Sequence, residues 1–339
     1  MKKVITLFLI LMMVLCLFGC SEKEEEDVPS EPLPATIEAI DQAGRTVIIK
    51  KEVERIISLS YPISAALLAL GQKDKIVAIE AKADTRPLYQ LAAKELIALP
   101  SFDADKQVDT DALLKLEPDL VFLDAKQAAA ADALLEQGVP AIVVDPKDYD
   151  KFIEMIFLAG AVCDVPAKAQ ELIVYYDKLI DEILTITDGT ARPKVYIGGS
   201  SSLLASCTAS MHQKQILETA SARPVFAALE GNTWTGIAAE QLLQWNPDYI
   251  FIPEDAVYTT EDLLNDESLA ELSAIQNENI YILPSMIESW SQPSSASILG
   301  LYWVAQTLHP EKFEEDRFTG EVNRFYKKYY NIDLENQGS

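Results

Sequence analysis

Two stretches of this chain, LLKLEPDLVFLD (Leu113–Asp124) and LLQWNPDYIFIP (Leu242–Pro253), say nearly the same thing about 129 residues apart. Each reads as the end of a short helix, a Pro-Asp turn and an apolar run, which is a helix feeding a buried strand. A chain of 339 residues with 49% hydrophobic residues has material for two α/β cores. The repeated unit therefore predicts two similar lobes.

The rest of the chain fits that frame. Residues 37–51 read as two short strands around a turn at Gly44, and RIISLSY (Arg55–Tyr61) as a strand running into a loop. Pro62 opens a helix that Gly71 closes. KIVAIE, PDLVFLD and PAIVVD follow as strands, with helical segments between them. Short alternation of strand and helix predicts mainly parallel sheets covered by helices. KVYIGG, DYIFI and IYILP repeat the scheme in the second half, with helices at HQKQILETA, AAEQLLQW and LAELSAI. The expected lobes are residues 36–147 and 192–330, followed by a short tail, 331–339. The segment 148–191 between them carries no strand pattern. Asp164 is expected to cap a helix that begins near Pro166, and Leu172, Tyr175, Tyr176, Leu179 and Ile183 form one apolar stripe along it. A helix of about 20 residues is a rod roughly 30 Å long.

The N-terminus is a separate matter. Lys2 and Lys3 precede an apolar run from Val4 to Phe18, and then come Gly19 and Cys20. This reads as a signal peptide over residues 1–19, since the run is short of the roughly 20 residues that span a bilayer. LFGC (Leu17–Cys20) matches the bacterial lipobox, which makes Cys20 the expected lipidation site. Residues 20–35 are acidic, contain prolines and offer little to bury, as an extended tether would.

Composition narrows the function classes. A formal net charge of -25 excludes a phosphate-neutralising nucleic-acid surface and disfavours an anionic membrane face, leaving the lipid as the means of attachment. The two cysteines left in the mature chain, Cys163 and Cys207, are expected to be separate small hydrophobes. With only His212 and His309, the chain lacks the histidines that a bare zinc or manganese cargo would require. His309 is expected to be structural, and His212 an exposed residue near a helix start. No nucleophile elbow, P-loop or GxGxxG follows a strand, so binding is expected in place of catalysis.

In order, ERIISLS, ALLKLEPDLVFL, RPKVYIGG, WTGIAAEQLLQWNPDYIFI and WSQPSSASILGLYWVAQTLHPEKF run from Glu54 to Phe313, within a stretch from about residue 36 to 330. Together with the rod and the tether, they resemble the substrate-binding proteins of bacterial ABC importers. Within those, the match is to the helical-backbone class that carries iron-siderophore, haem and cobalamin complexes. The resemblance implies a monomeric, non-enzymatic α/β protein of two lobes joined by one long helix, with a ligand cleft between them. It implies no resident cofactor; the cargo is an iron-siderophore, haem or corrinoid complex, and the partner is a permease dimer with its ATPase. A molybdate or tungstate binder of the same architecture is the first alternative. A lipid-anchored sensor or adhesion module without a transport role is the second.

Ligands of open α/β sheets lie beyond the carboxyl ends of the strands. The loops there contain Ser60 and Tyr61, Lys82 and Arg86, and Phe102 in the first lobe, and Ser200, Ser201, Trp234 and Trp290 in the second. Aromatic walls with a few polar groups suit a bulky organic complex, and Arg86 offers a planar fork to a carboxylate, catecholate or oxyanion. The resemblance further implies one acidic residue on each rim for docking to the permease: Glu218 in ILETA, and Glu95, whose spacing to the next strand differs from the family's.

Overall fold

The computed structural model describes residues 36–103, 106–290, 292–314 and 316–335. The expected signal peptide, Cys20 and the tether lie outside the described residues, as do the last four residues of the tail.

The predicted apolar runs become two sheets. In the first lobe β3 (Ile56–Ser58), β4 (Ile76–Glu80), β5 (Ser101–Phe102), β6 (Leu120–Asp124) and β7 (Ala141–Val144) pair in parallel in the order β5-β4-β3-β6-β7. All of β7 and the first four residues of β6 are buried. Cover on both faces explains why these strands read as continuous apolar runs without alternation. The hairpin of β1 (Thr36–Ile40) and β2 (Thr46–Lys50) turns at Gly44, whose φ is +80°. Asp41 fixes it to the sheet, because one carboxylate accepts from the Val143 amide and from Arg45.

In the second lobe β8 (Lys194–Gly199), β12 (Tyr249–Pro253) and β13 (Ile280–Leu283) are parallel neighbours, and β10 (Arg223–Pro224) also pairs in parallel with β8. β9 (Ser202–Ser206) and β11 (Thr235–Gly236) extend the sheet in antiparallel fashion. The two copies of the repeated unit supply β6 and β12, each the strand beside the first strand of its sheet. The α/β architecture of two lobes is thus the one the repeat predicts.

Between the lobes lie two helices, Tyr149–Val162 and Pro166–Ile186. The second is the expected rod, burying Ala169, Leu172, Ile173, Tyr176, Leu179, Ile180 and Ile183. Asp164 does not cap it. Its φ of +56° puts it in the left-handed region, and the Val165 amide donates to the Gly160 carbonyl at 2.8 Å, so Asp164 closes the preceding helix. Gly160 lets the two helices touch: a Cβ there would stand 2.3 Å from that of Ala169.

The closing helix spans Arg317–Tyr330. It lies along the rod through the ion pairs Lys328–Glu171 at 2.7 Å and Arg317–Glu182, and Tyr175 donates to Glu321 at 2.5 Å. At its far end the Tyr330 hydroxyl reaches the Ala65 carbonyl of the first lobe at 3.2 Å. The end of the chain therefore ties both lobes to the rod. Cys163 and Cys207 are buried and unpaired, and burial pushes the Cys163 thiol up to about 12.

Candidate functional site: the cleft between the lobes

In the first sheet the chain runs outward from β3 through β4 to β5, then returns to the other side of β3 for β6 and β7. The boundary of β3 and β6 is thus a switch point, where a crevice opens at the carboxyl ends. Tyr61 follows β3, Asp124 ends β6, Asp145 follows β7, and Arg86 comes from the loop after β4. Facing them is the loop after β13, with Ser285, Glu288, Gln292 and Ser294. Together they enclose a cleft of about 500 Å³.

The Arg86 guanidinium stacks 4.2 Å over the Tyr61 ring. The Tyr61 hydroxyl crosses the cleft floor to donate to Glu288 Oε1 at 3.2 Å. Behind Tyr61, the Tyr89 ring packs edge-on at 5.8 Å. Tyr89 and Ser64 each donate to the buried Glu80 carboxyl at 2.7 Å, and Ser58 joins Ser64 at 2.7 Å. This connected network fixes the ring that carries Arg86. Burial raises the carboxyls of Glu80 and Glu288 and the phenol of Tyr61, with Glu288 reaching about 8. At neutral pH this burial favours the uncharged form of Glu288. Arg86 Nε and Glu288 Oε2 are both buried without a hydrogen-bond partner, so the wall holds unspent polar capacity.

A smaller cavity of about 180 Å³ adjoins in the second lobe, lined by Gly198, Gly199, Ser200, Ser201 and Trp234, and Gln292 lines both cavities. The glycine pair is required by close approach. A Cβ on Gly198 would meet the Tyr258 hydroxyl at 2.6 Å, and one on Gly199 would meet Ala205 Cβ at 2.8 Å and the Trp234 ring at 3.2 Å.

Of the residues singled out in the sequence, the structure brings Tyr61, Arg86, Ser200, Ser201 and Trp234 to these two cavities. Three go elsewhere. Trp290 is fully buried, edge-on to Phe318 at 5.5 Å with its indole N–H directed at the Tyr326 hydroxyl, 3.5 Å away. The aromatic face of the closing helix gives that ring an apolar seat, so it is core and not cleft wall. Phe102, on edge strand β5, packs onto the first lobe's second apolar cluster with Val77 and Val108. Lys82 is exposed at φ +65°, the left-handed residue that starts a short 3₁₀ turn. His212 is buried, not exposed; neither ring nitrogen has a partner, and burial lowers it to about 4. His309 is buried against the Ala220 carbonyl at 3.2 Å. Glu95 and Glu218 are exposed, paired with Lys73 at 2.5 Å and Lys214 at 3.2 Å.

Sequence reading missed Asp124, Asp145 and Glu288. For the two aspartates the signal was present, since they close the runs VFLD and AIVVD at the carboxyl ends of strands. Glu288 carried none, because one more glutamate in so acidic a chain has no local mark.

The chain matches the model of the periplasmic binding protein family over residues 56–286. It is 24% identical to the molybdate-binding protein MolA of Haemophilus influenzae, over 86% of this chain and 90% of that one. It is 23% identical to an uncharacterised ABC transporter substrate-binding lipoprotein of Bacillus subtilis, YvrC, over 90% of this chain and 97% of that one. Among solved structures, CeuE of Helicobacter pylori in a Ni–His complex superposes with a TM-score of 0.75 at 21% identity, covering 88% of this chain and 97% of that one, a likeness of fold. With its two-lobe fold and the cleft at the strand ends, the chain belongs to the periplasmic binding protein family and is a substrate-binding protein of the kind that serves ABC transporters.

Proposed function

We propose that this protein is a lipid-anchored receptor that captures an iron-siderophore, haem or corrinoid complex between its lobes, with an anionic group of it at Arg86, and delivers it to an ABC permease and its ATPase. The observation that carries the reading is the Arg86–Tyr61 stack on the cleft wall, with Arg86 Nε unpartnered and an uncharged carboxyl beside it. Such a wall offers a cation and a ring to an oxygen-rich ligand. The cleft of about 500 Å³ falls within the roughly 300–1,000 Å³ usual for organic ligands. Trp234 in the adjoining cavity extends the apolar surface.

A molybdate or tungstate reading has its own support. MolA is a molybdate-binding protein, and with Trp290 in the core, Tyr61 is the one aromatic ring among the described residues lining the cleft. Native mass spectrometry with ferric siderophores, haem, cobalamin, molybdate and tungstate separates the two. One bound chelate per chain is expected. Binding of the oxyanions alone would replace the first reading with the second, and binding of nothing in the panel would defeat both.

The anchor is proposed at Cys20, in keeping with the lipoprotein description of YvrC. Replacing Cys20 with alanine should abolish labelling by radioactive palmitate; undiminished labelling would remove the anchor. Permease docking is proposed through Glu95 and Glu218, exposed on different lobes. Two separated charges fix orientation although each pair is individually weak. The Glu95→Ala, Glu218→Ala double variant should lose uptake while ligand affinity holds, and unchanged uptake would end the assignment.

A further inference from the structure

Glu288, on the loop after β13, stands where the first lobe's opening helix, the rod and the closing helix come together. Its carboxyl accepts from Tyr61 on the first lobe's opening helix. The other charged or titratable groups that act on it are Arg86 from the loop after β4, Tyr176 on the rod, and Tyr326 and Tyr330 on the closing helix. Among them the cation is Arg86, and it lines the same cleft. One carboxyl oxygen is satisfied by Tyr61, while Oε2 is buried and orphaned, as is Arg86 Nε. A carboxylate at this position, cut off from water, would have to draw on the Arg86 charge; a neutral carboxyl does not.

We propose that Glu288 is a positioning residue for Arg86: as a neutral acid it leaves the guanidinium to an incoming anion, and as a carboxylate it competes for that charge, so anion capture in the cleft is coupled to a proton on Glu288. The inference rests on reading the cleft as an anion site. The sign follows from linkage. A bound anion takes up Arg86 and adds negative charge beside Glu288, so the complex holds the proton to higher pH than the free protein does. The free carboxyl loses its proton near 8. Affinity is therefore level below that pH and falls above it, with a slope approaching about tenfold per pH unit for one coupled proton. The device favours anions over neutral ligands and weakens its own hold in alkaline medium.

The experiment is titration calorimetry of the full mature chain with ferric citrate and with molybdate from pH 6 to pH 9.5, beside the Glu288→Gln variant. Glutamine keeps the shape and the neutral polarity but cannot ionise. For whichever probe binds, the wild-type chain should show the alkaline loss and Glu288→Gln a flat profile. A flat wild-type profile, or the same slope in the variant, overturns the coupling while leaving the anion reading intact. Failure of both probes to bind overturns the anion reading and the coupling with it. A ligand-free arm uses carbon NMR of labelled glutamate carboxyls. One resonance should titrate near pH 8 and be missing from Glu288→Gln; its titration in the ordinary carboxylate range overturns the proposal whatever the calorimetry gives.

Discussion

Trp234 and Trp290 occupy loops of one lobe and have opposite fates, because Trp290 is sealed in the core while Trp234, packed on the core and half-buried, still lines the smaller cavity. Trp290 meets Phe318 and is backed by Gly300, where a Cβ would stand 2.5 Å from the Trp290 carbonyl oxygen. Trp290→Ala should destabilise the fold by about 3–5 kcal/mol, read as a shift in the urea midpoint, with little effect on the affinity of the folded fraction. Trp234→Ala should do the reverse, lowering affinity with a small change in midpoint. Charge state also has a residue-scale consequence. Glu288 is raised from 4.5 to about 8, so the folded chain keeps a proton that the unfolded chain has released, and stability falls as pH rises across that window. His212, lowered from 6.5 to about 4, acts oppositely, withdrawing stability as pH falls below 6.5. Between 6.5 and 8 only the Glu288 slope remains of the two, about 2 kcal/mol at 1.36 kcal/mol per unit. Chemical denaturation at those two pH values should show this loss in the wild-type chain and a flatter response in Glu288→Gln; equal slopes would contradict the burial of a neutral carboxyl. At this scale the sequence marks position and not company. Tyr61 and Arg86 were legible because they follow strands, but the seat of Trp290 lies 28 residues onward in the chain at Phe318.

Elements were more legible than residues, since period and punctuation are local. The runs of β6, β7, β8 and β12 and the stripe of the rod were readable for that reason. The two-residue strands β5, β10 and β11 were not, because two residues carry no period. Asp164 shows the limit of a local signal: an aspartate shortly before Pro166 suits an N-cap, yet the contact of Gly160 with Ala169 makes it the left-handed end of the helix before. The rod and the closing helix, clamped by Lys328–Glu171 and Tyr175–Glu321, form a pair that bending would disrupt at once. Ligand binding should accordingly produce only a small closure of the lobes. A large drop in radius of gyration in solution scattering on adding the ligand would show that this junction yields.

For the whole molecule, the repeated helix-strand unit makes two walls, and the chain between and after them holds the walls together. The switch point of the first sheet and the loop after β13 of the second create the cleft, and Tyr61 with Glu288 closes its floor from opposite sides. The central claim is that cargo is held in this cleft by Arg86. The most direct test is the affinity of wild-type protein and Arg86→Ala for the ligand that mass spectrometry identifies, at pH 7. Truncating a buried, charge-bearing contact removes roughly 2–5 kcal/mol of binding, so affinity should fall at least about thirtyfold while the urea midpoint moves little. Equal affinity in the two proteins would place the ligand elsewhere and contradict the account.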